Sequence, residues 1–86
     1  MAILAGTISG TGATGAIAGT KFSIKMDFSG TASVDIEEQM PSGNWIKAVT
    51  AITADYVQVY DRPTLTTLRL NCTAFTNSVE YIVETN

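Results

Sequence analysis

Three glycines near the amino terminus have a spacing that is typical of phosphate binding. The segment GTGATG, residues 10–15, matches G-x-G-x-x-G, in which backbone amides hold a dinucleotide pyrophosphate. Asp35 follows at about the distance where an acidic residue would bind the ribose. Such a site needs a helix after the last glycine, yet residues 16–20 read AIAGT and lead into a segment with strand periodicity. We therefore predict no bound cofactor and interpret these glycines as a tight connection between β segments or as part of an arm that orders on a partner.

Carboxylates are concentrated at Asp35, Glu37 and Glu38. Alternation along a strand places Asp35 and Glu37 on one face, where two carboxylates could bind Ca²⁺ or act as an acid and a base. No glycine-punctuated, oxygen-rich loop surrounds them, and the chain has one cysteine and no histidine for a Cys/His metal site. We predict no metal ion and expect these side chains to form a solvated strand face.

Nucleophilic catalysis lacks its common partner, because no imidazole is present to activate Cys72 or a serine. Cys72 lies on the apolar side of its segment, where we expect it to be buried as a small hydrophobic residue. Trp45, Tyr56 and Tyr60 could stack on a sugar, although aromatic residues scattered through separate segments suit packing better. We predict that the protein is not an enzyme and keep a small carbohydrate-binding β module as an alternative.

The composition indicates one small domain, residues 1–86, that gains stability from its neighbours. A chain this short buries only about 60–65% of its unfolded surface, and a single cysteine excludes an intrachain disulfide. The net charge of −3 and the lack of a basic run predict no nucleic-acid partner. No stretch approaches the roughly 18 apolar residues of a membrane span, and no signal peptide precedes the first strand. We expect a product made in a cytoplasm, with no membrane association and with partner subunits.

The elements that would position these side chains are strands, because apolar and polar residues alternate with a period of two. Residues 21–28 and 65–73 show this alternation most clearly, and Gly or Pro marks most breaks. We predict an all-β fold, a small antiparallel β-sandwich or jelly roll of seven or eight strands, with residues 1–19 as a Gly/Ala-rich amino-terminal arm or weak strands. A loop at 39–44 should close a hairpin, and Asp61-Arg62-Pro63 should end a strand. The predicted core consists of Phe22, Ile24, Met26, Val34, Ile36, Trp45, Leu68, Leu70, Val79 and Tyr81.

Four segments resemble a recurrent pattern in small virion proteins of tailed bacteriophages. That pattern has a strand led by Ser-Gly-Thr, a loop with Gly before Trp, and a closing segment that contains Cys-Thr-Ala before the last strand. The matching segments are SGTASVDIEE (29–38), SGNW (42–45), LRLNCTAFT (68–76) and SVEYIV (78–83). Acidic residues here occupy the strand in which the family commonly has basic ones.

The resemblance implies a structural protein of the virion, made in the host cytoplasm. Within that class it implies a head decoration, or cement, protein that binds the major capsid protein, stabilises the shell and self-associates, often as a trimer. A tail, neck or fibre component is the alternative within the virion. We predict that the amino-terminal segment and the loops at 39–44 and 61–64 contact partners, through Ile3, Leu4, Ile8, Ile17, Met40, Pro41, Asn44, Arg62 and Pro63.

Overall fold

The computed structural model describes all 86 residues, and its regular structure consists of strands alone. Six antiparallel strands form one sheet in the order β1-β6-β2-β5-β3-β4. The all-β prediction is therefore confirmed. The chain has no helix that is long and apolar enough to cross a membrane. The strands are β1 Ile3–Ile8, β2 Gly12–Phe28, β3 Ala32–Gln39, β4 Trp45–Ile52, β5 Tyr56–Phe75 and β6 Val79–Thr85.

The sheet has six strands and not the seven or eight predicted, because two of its strands are long. β2 joins two predicted strands across Thr20, and β5 continues through Pro63, where a break was expected. The predicted break is wrong because Pro63 lies in a register shift, between the pairs Gly19–Thr66 and Lys21–Asp61. Residues 62–65 have no ladder partner on β2 there, so a proline without an amide proton removes no hydrogen bond to that strand.

Both long strands bend at this register shift. A straight strand of 20 residues would be about 65 Å long, whereas the longest axis of the molecule is 35 Å. Residues 12–19 of β2 pair with the second part of β5, and residues 21–26 pair with its first part. We call β1, β6, 21–28 and 56–61 the terminal half of the sheet, because it holds both chain ends. The hairpin half consists of 12–19, 66–75 and the predicted hairpin, which β3 and β4 form.

One core is shared by the two halves. Of the predicted core residues, eight are fully buried and Tyr81 packs partly buried against them. The prediction is wrong for Trp45, which is half-buried on the other face of the sheet, beside Arg69. Ile17 and Phe22 are both buried although one is odd-numbered and the other even, because the shift at Thr20 moves the alternation by one residue. Residues 1–19, for which an arm and weak strands were both open, form β1 and the start of β2. The expected burial of Cys72 is confirmed. Buried hydrophobic side chains that were not predicted are Ile8, Ile17, Ala32, Ile52 and Val83.

The carboxyl-terminal residue holds the bend of β2. The Asn86 side-chain oxygen accepts hydrogen bonds from the backbone amides of Lys21, at 3.2 Å, and Thr20, at 3.4 Å. Gly19 allows this close approach, since a Cβ there would lie 2.9 Å from the Cβ of Thr85. The bend is therefore a packed, hydrogen-bonded feature of the fold.

Candidate interaction surface

The glycine motif lies in the connection between β1 of the terminal half and β2 of the hairpin half. Gly10 is in the turn, Gly12 begins β2 with a φ of 126°, and Gly15 is within the strand. Strand amides point alternately to two sides, so they do not converge on one anion as the amides at a helix start do. The interpretation as a connection between β segments agrees with this position, and the positive φ at Gly12 explains one of the glycines.

Asp35 is buried, so the prediction of a solvated face is wrong for this residue. Asp35 lies on β3 and is only 3% exposed. One carboxylate oxygen accepts the backbone amide of Ala51 at 2.9 Å, and the other lies 3.3 Å from the Lys47 ammonium. Ala51 has a φ of 55° in an irregular part of β4, where the register shifts and an amide needs a partner outside the ladder. Asp35 therefore has a structural role at this bulge.

Glu37 is also buried, so the prediction of a solvated face is wrong for this residue too. It accepts hydrogen bonds from Arg69 at 2.8 Å and from the Asn71 amide at 3.2 Å, both on β5. The Arg69 guanidinium also lies 4.1 Å from the ring centre of Trp45, within cation–π range. No group of three metal-ligating side chains occurs in the structure. These oxygens are thus occupied by cations and amides of the neighbouring strands.

A second polar cluster lies on the core side of the bend. Arg62 donates two hydrogen bonds to Glu38, at 2.8 and 2.6 Å, and this pairing raises the pKa of Arg62. The Tyr56 and Tyr60 hydroxyls are 2.9 Å apart. Burial, followed by the hydrogen bond with Tyr56, raises the pKa of Tyr60. The cluster therefore holds the neutral phenol of Tyr60 beside the ion pair of Arg62 and Glu38.

The aromatic residues do not form one platform for a sugar. Trp45 is paired with Gln39, whose neighbour Glu38 points to the other face and reaches Arg62. Tyr60 lies on that other face with Arg62, 5.5 Å from its ring centre. The two aromatic sites are consequently on opposite faces of the sheet, and each has an arginine over or near its ring.

The predicted contact residues differ in how exposed they are. Ile8 and Ile17 are in the core, Leu4 is partly buried against it, and Ile3 is exposed on the β1 edge. Arg62 is held by Glu38. The remaining predicted residues are exposed in the β3–β4 loop and at the β5 bend: Met40, Pro41, Asn44 and Pro63.

The structure brings the β3–β4 loop and the β5 bend together around a groove of about 560 Å³. Met40 and Pro41 line it from the loop, and Thr64 and Leu65 line it from the bend. Leu65 is 74% exposed and Met40 is 44% exposed, so this bend groove presents apolar side chains among a mostly polar lining. Ile46, which also lines it, is 49% exposed and was not among the contact residues predicted from the sequence.

These features define a small all-β protein in which Asp35, Glu37 and Glu38 are ion-paired and Cys72 is buried, while apolar side chains such as Leu65 are exposed. A comparison with known protein families, curated proteins and solved structures finds no match to this chain. The strand connections and the surfaces of the protein are therefore the features that indicate its function.

Proposed function

We propose that the protein is a capsid decoration protein of a tailed bacteriophage, which binds the major capsid protein and stabilises the head shell. The observation that carries this proposal is the connection pattern of the sheet. Divided at their bends, β2 and β5 supply four segments, which with the other strands make eight. These eight pair as two four-stranded arrays, the terminal half and the hairpin half.

The chain moves from one half to the other at every step except the β3–β4 hairpin. We infer that this arrangement is a jelly roll in which two of the crossings are continuous bent strands. Jelly rolls of eight strands are found in viral capsid proteins and in lectins. The resemblance in the segments at 29–38, 42–45, 68–76 and 78–83 favours the viral class.

A binding function is also favoured because the reactive side chains are buried or paired. Cys72, the one thiol, is 2% exposed, and its sulfur lies 3.3 Å from the carbonyl oxygen of Ala74. The buried carboxylates of Asp35 and Glu37 are paired. The groups that chemistry would need are used for structure, while Met40 and Leu65 remain available to a partner.

The bend groove is the surface that we assign to self-association, with a trimer as the preferred state. It belongs to the hairpin half, whose acidic side chains Asp35, Glu37 and Glu38 are all ion-paired. Two copies therefore meet there without net repulsion. Leu65→Lys should reduce the oligomer to a monomer in sedimentation velocity, whereas the control Thr50→Lys on exposed β4 should leave it unchanged. A wild-type monomer, or an unaffected oligomer in the Leu65 variant, would refute this assignment.

Particles purified from cells that carry the coding sequence test the main proposal. We expect the protein in intact heads at a fixed ratio to the major shell protein. Shells stripped of it should lose resistance to heat and chelators, and adding the purified protein should restore that resistance. Equal resistance with and without the protein would sink the cement role. Labelling that marks tails, necks or fibres instead of heads would support the alternative position in the virion.

A carbohydrate-binding module is the second candidate, because lectins share the jelly-roll arrangement. Tyr56 and Tyr60 lie together and Trp45 lies on the opposite face, so we assign the sugar in this candidate to the two tyrosines. A glycan array in which the wild type binds, Trp45→Ala still binds and Tyr60→Ala does not would favour this candidate over the virion role.

A further inference from the structure

We propose that the outer face of the terminal half is a docking surface for a protein whose own surface carries basic side chains around apolar ones. This inference rests on the proposed binding function and adds the surface and the chemistry of the partner. Three observations carry it: the apolar groups on that face, the distribution of charge in the chain, and an unrelieved pair of like charges.

One row of side chains crosses all four strands of the terminal half, and it is apolar on every strand except β2, where Lys25 lies in it. Cross-strand pairing aligns Ala5 with Ile82, Ile82 with Lys25, and Lys25 with Val57, so these side chains share one face. Val57 is 68% exposed. A shallow groove of about 590 Å³ follows this row. The surface is large enough to receive a segment of another protein along the row.

The charge of the chain is concentrated in the terminal half. The three acidic side chains of the hairpin half form ion pairs with Lys47, Arg69 and, from the bend, Arg62. The hairpin half and the bend together therefore carry no net charge. The terminal half and its loops hold the other charged side chains, two lysines and five carboxylates, which account for the whole net charge of −3. These are Lys21, Lys25, Asp27, Asp55, Asp61, Glu80 and Glu84.

Asp27 and Glu80 are directly opposite each other on neighbouring strands, and both are exposed. Like charges in this position destabilise a sheet. Neither forms a salt bridge in the structure, although Lys25 lies on the same face, so a basic partner would supply the direct cation contacts that this pair lacks. A second copy of this chain would bring a face of the same net negative charge, whereas a basic protein would bring the opposite charge and is therefore the favoured partner.

A peptide of defined charge is the probe. The acetylated and amidated peptide KVKVKVK should shift the backbone amide NMR signals of Ser23–Asp27, Val57–Val59 and Glu80–Glu84 in the isotope-labelled protein. The peptide EVEVEVE should produce no shifts, and KSKSKSK, which lacks the apolar side chains, should bind more weakly. Added salt should weaken the binding of KVKVKVK, because these charges are exposed. Absence of binding, or shifts confined to another surface, would overturn the proposal.

Variants of the face should change the affinity for KVKVKVK in opposite directions. Asp27→Asn combined with Glu80→Gln should weaken KVKVKVK binding at least about fivefold, and Lys25→Gln should strengthen it. The control Ala48→Lys combined with Thr50→Lys makes the same change in net charge on exposed β4 of the hairpin half and should leave the affinity unchanged. Equal weakening by both double variants would mean that only net charge matters and would refute a defined surface.

The peptide assay tests the docking surface and the particle assay tests the capsid role, so either proposal can be refuted without the other. Binding at this face by a protein that is absent from virions would keep the docking surface and remove the capsid role. A protein that stabilises heads but does not bind KVKVKVK would keep the capsid role and remove this surface.

Discussion

At the scale of single residues, the carboxylates differ in what surrounds them. Glu37 is buried and accepts hydrogen bonds from Arg69 and Asn71, whereas Asp27 and Glu80 face each other in solvent and form no salt bridge. A buried carboxylate is tolerated only when its charge is paired and its oxygens accept hydrogen bonds. The first type of site stabilises the sheet, and the second leaves an interaction to be made with another molecule.

Glu37→Gln should therefore reduce the free energy of unfolding by about 1–3 kcal/mol, because the hydrogen bond to Arg69 loses its charge while the guanidinium stays partly buried. Chemical denaturation measures the change. Glu80→Gln is the matched control on an exposed strand position and should change stability by less than about 0.5 kcal/mol. Similar losses in the two variants would show that burial of the Glu37 pair has no energetic consequence.

Tyr60 should make stability depend on pH in the alkaline range. Its pKa is raised in the folded protein, so the folded state keeps the phenol proton where the unfolded chain loses it. Stability from this residue is complete below the ordinary tyrosine pKa of about 10 and is lost as the pH rises above it. Tyr60→Phe should cost about 1 kcal/mol at neutral pH and reduce the alkaline fall. An equally steep fall in denaturation curves of the variant would contradict this cause.

At the scale of elements, the bends in β2 and β5 determine the architecture. Each lets one strand serve both halves of the sheet, and each changes which side chains face the core. Irregular pairing of this kind re-aims side chains without ending a strand. Gly19 and the cap from Asn86 hold the bend in β2, while residues 62–65 form the bend in β5.

Two glycines in β2 provide a matched test of that bend. Gly19→Ala should lower the free energy of unfolding by about 1–3 kcal/mol, because its Cβ meets the Cβ of Thr85 at 2.9 Å. Gly15→Ala places its Cβ 3.6 Å from Leu4, an ordinary contact, and should be neutral or stabilise by up to about 1 kcal/mol. Thermal unfolding distinguishes them. A destabilising Gly15→Ala would mean that the glycine motif has a constraint beyond strand packing.

At the scale of the whole molecule, the first and last strands close the terminal half. Ile3 pairs with Glu84, so residues near the two ends of the chain are neighbours in the sheet. Every ladder except the β3–β4 hairpin joins strands that are not consecutive in the sequence. Loop-closure entropy must be overcome before these contacts form, which makes such folds slow to assemble.

Refolding should accordingly have a time constant between about 1 ms and several seconds. Trp45, the single tryptophan, is half-buried on the hairpin half and provides the fluorescence signal for stopped-flow dilution from denaturant. Refolding in microseconds would contradict the predominance of long-range pairing.

The alternation of side chains by itself determined the strand class, the β3–β4 hairpin and most of the core, because a period of two defines the two faces of a strand whatever its partner is. Phe22, Ile24, Leu68 and Leu70 followed from that pattern alone. The same pattern could not locate Ile17 relative to Phe22, since the shift between them depends on pairing with β5.

Only the tertiary structure decided which strands are neighbours, and that choice changed the meaning of the polar residues. Asp35 and Glu37 look solvated in sequence, but cations from β4 and β5 allow their burial. The loop at 39–44 and the bend near Pro63 are distant in sequence and line one groove. Side-chain alternation is a local property, whereas strand partners, register and ion pairs depend on contacts between distant segments, which are made only when the sheet closes.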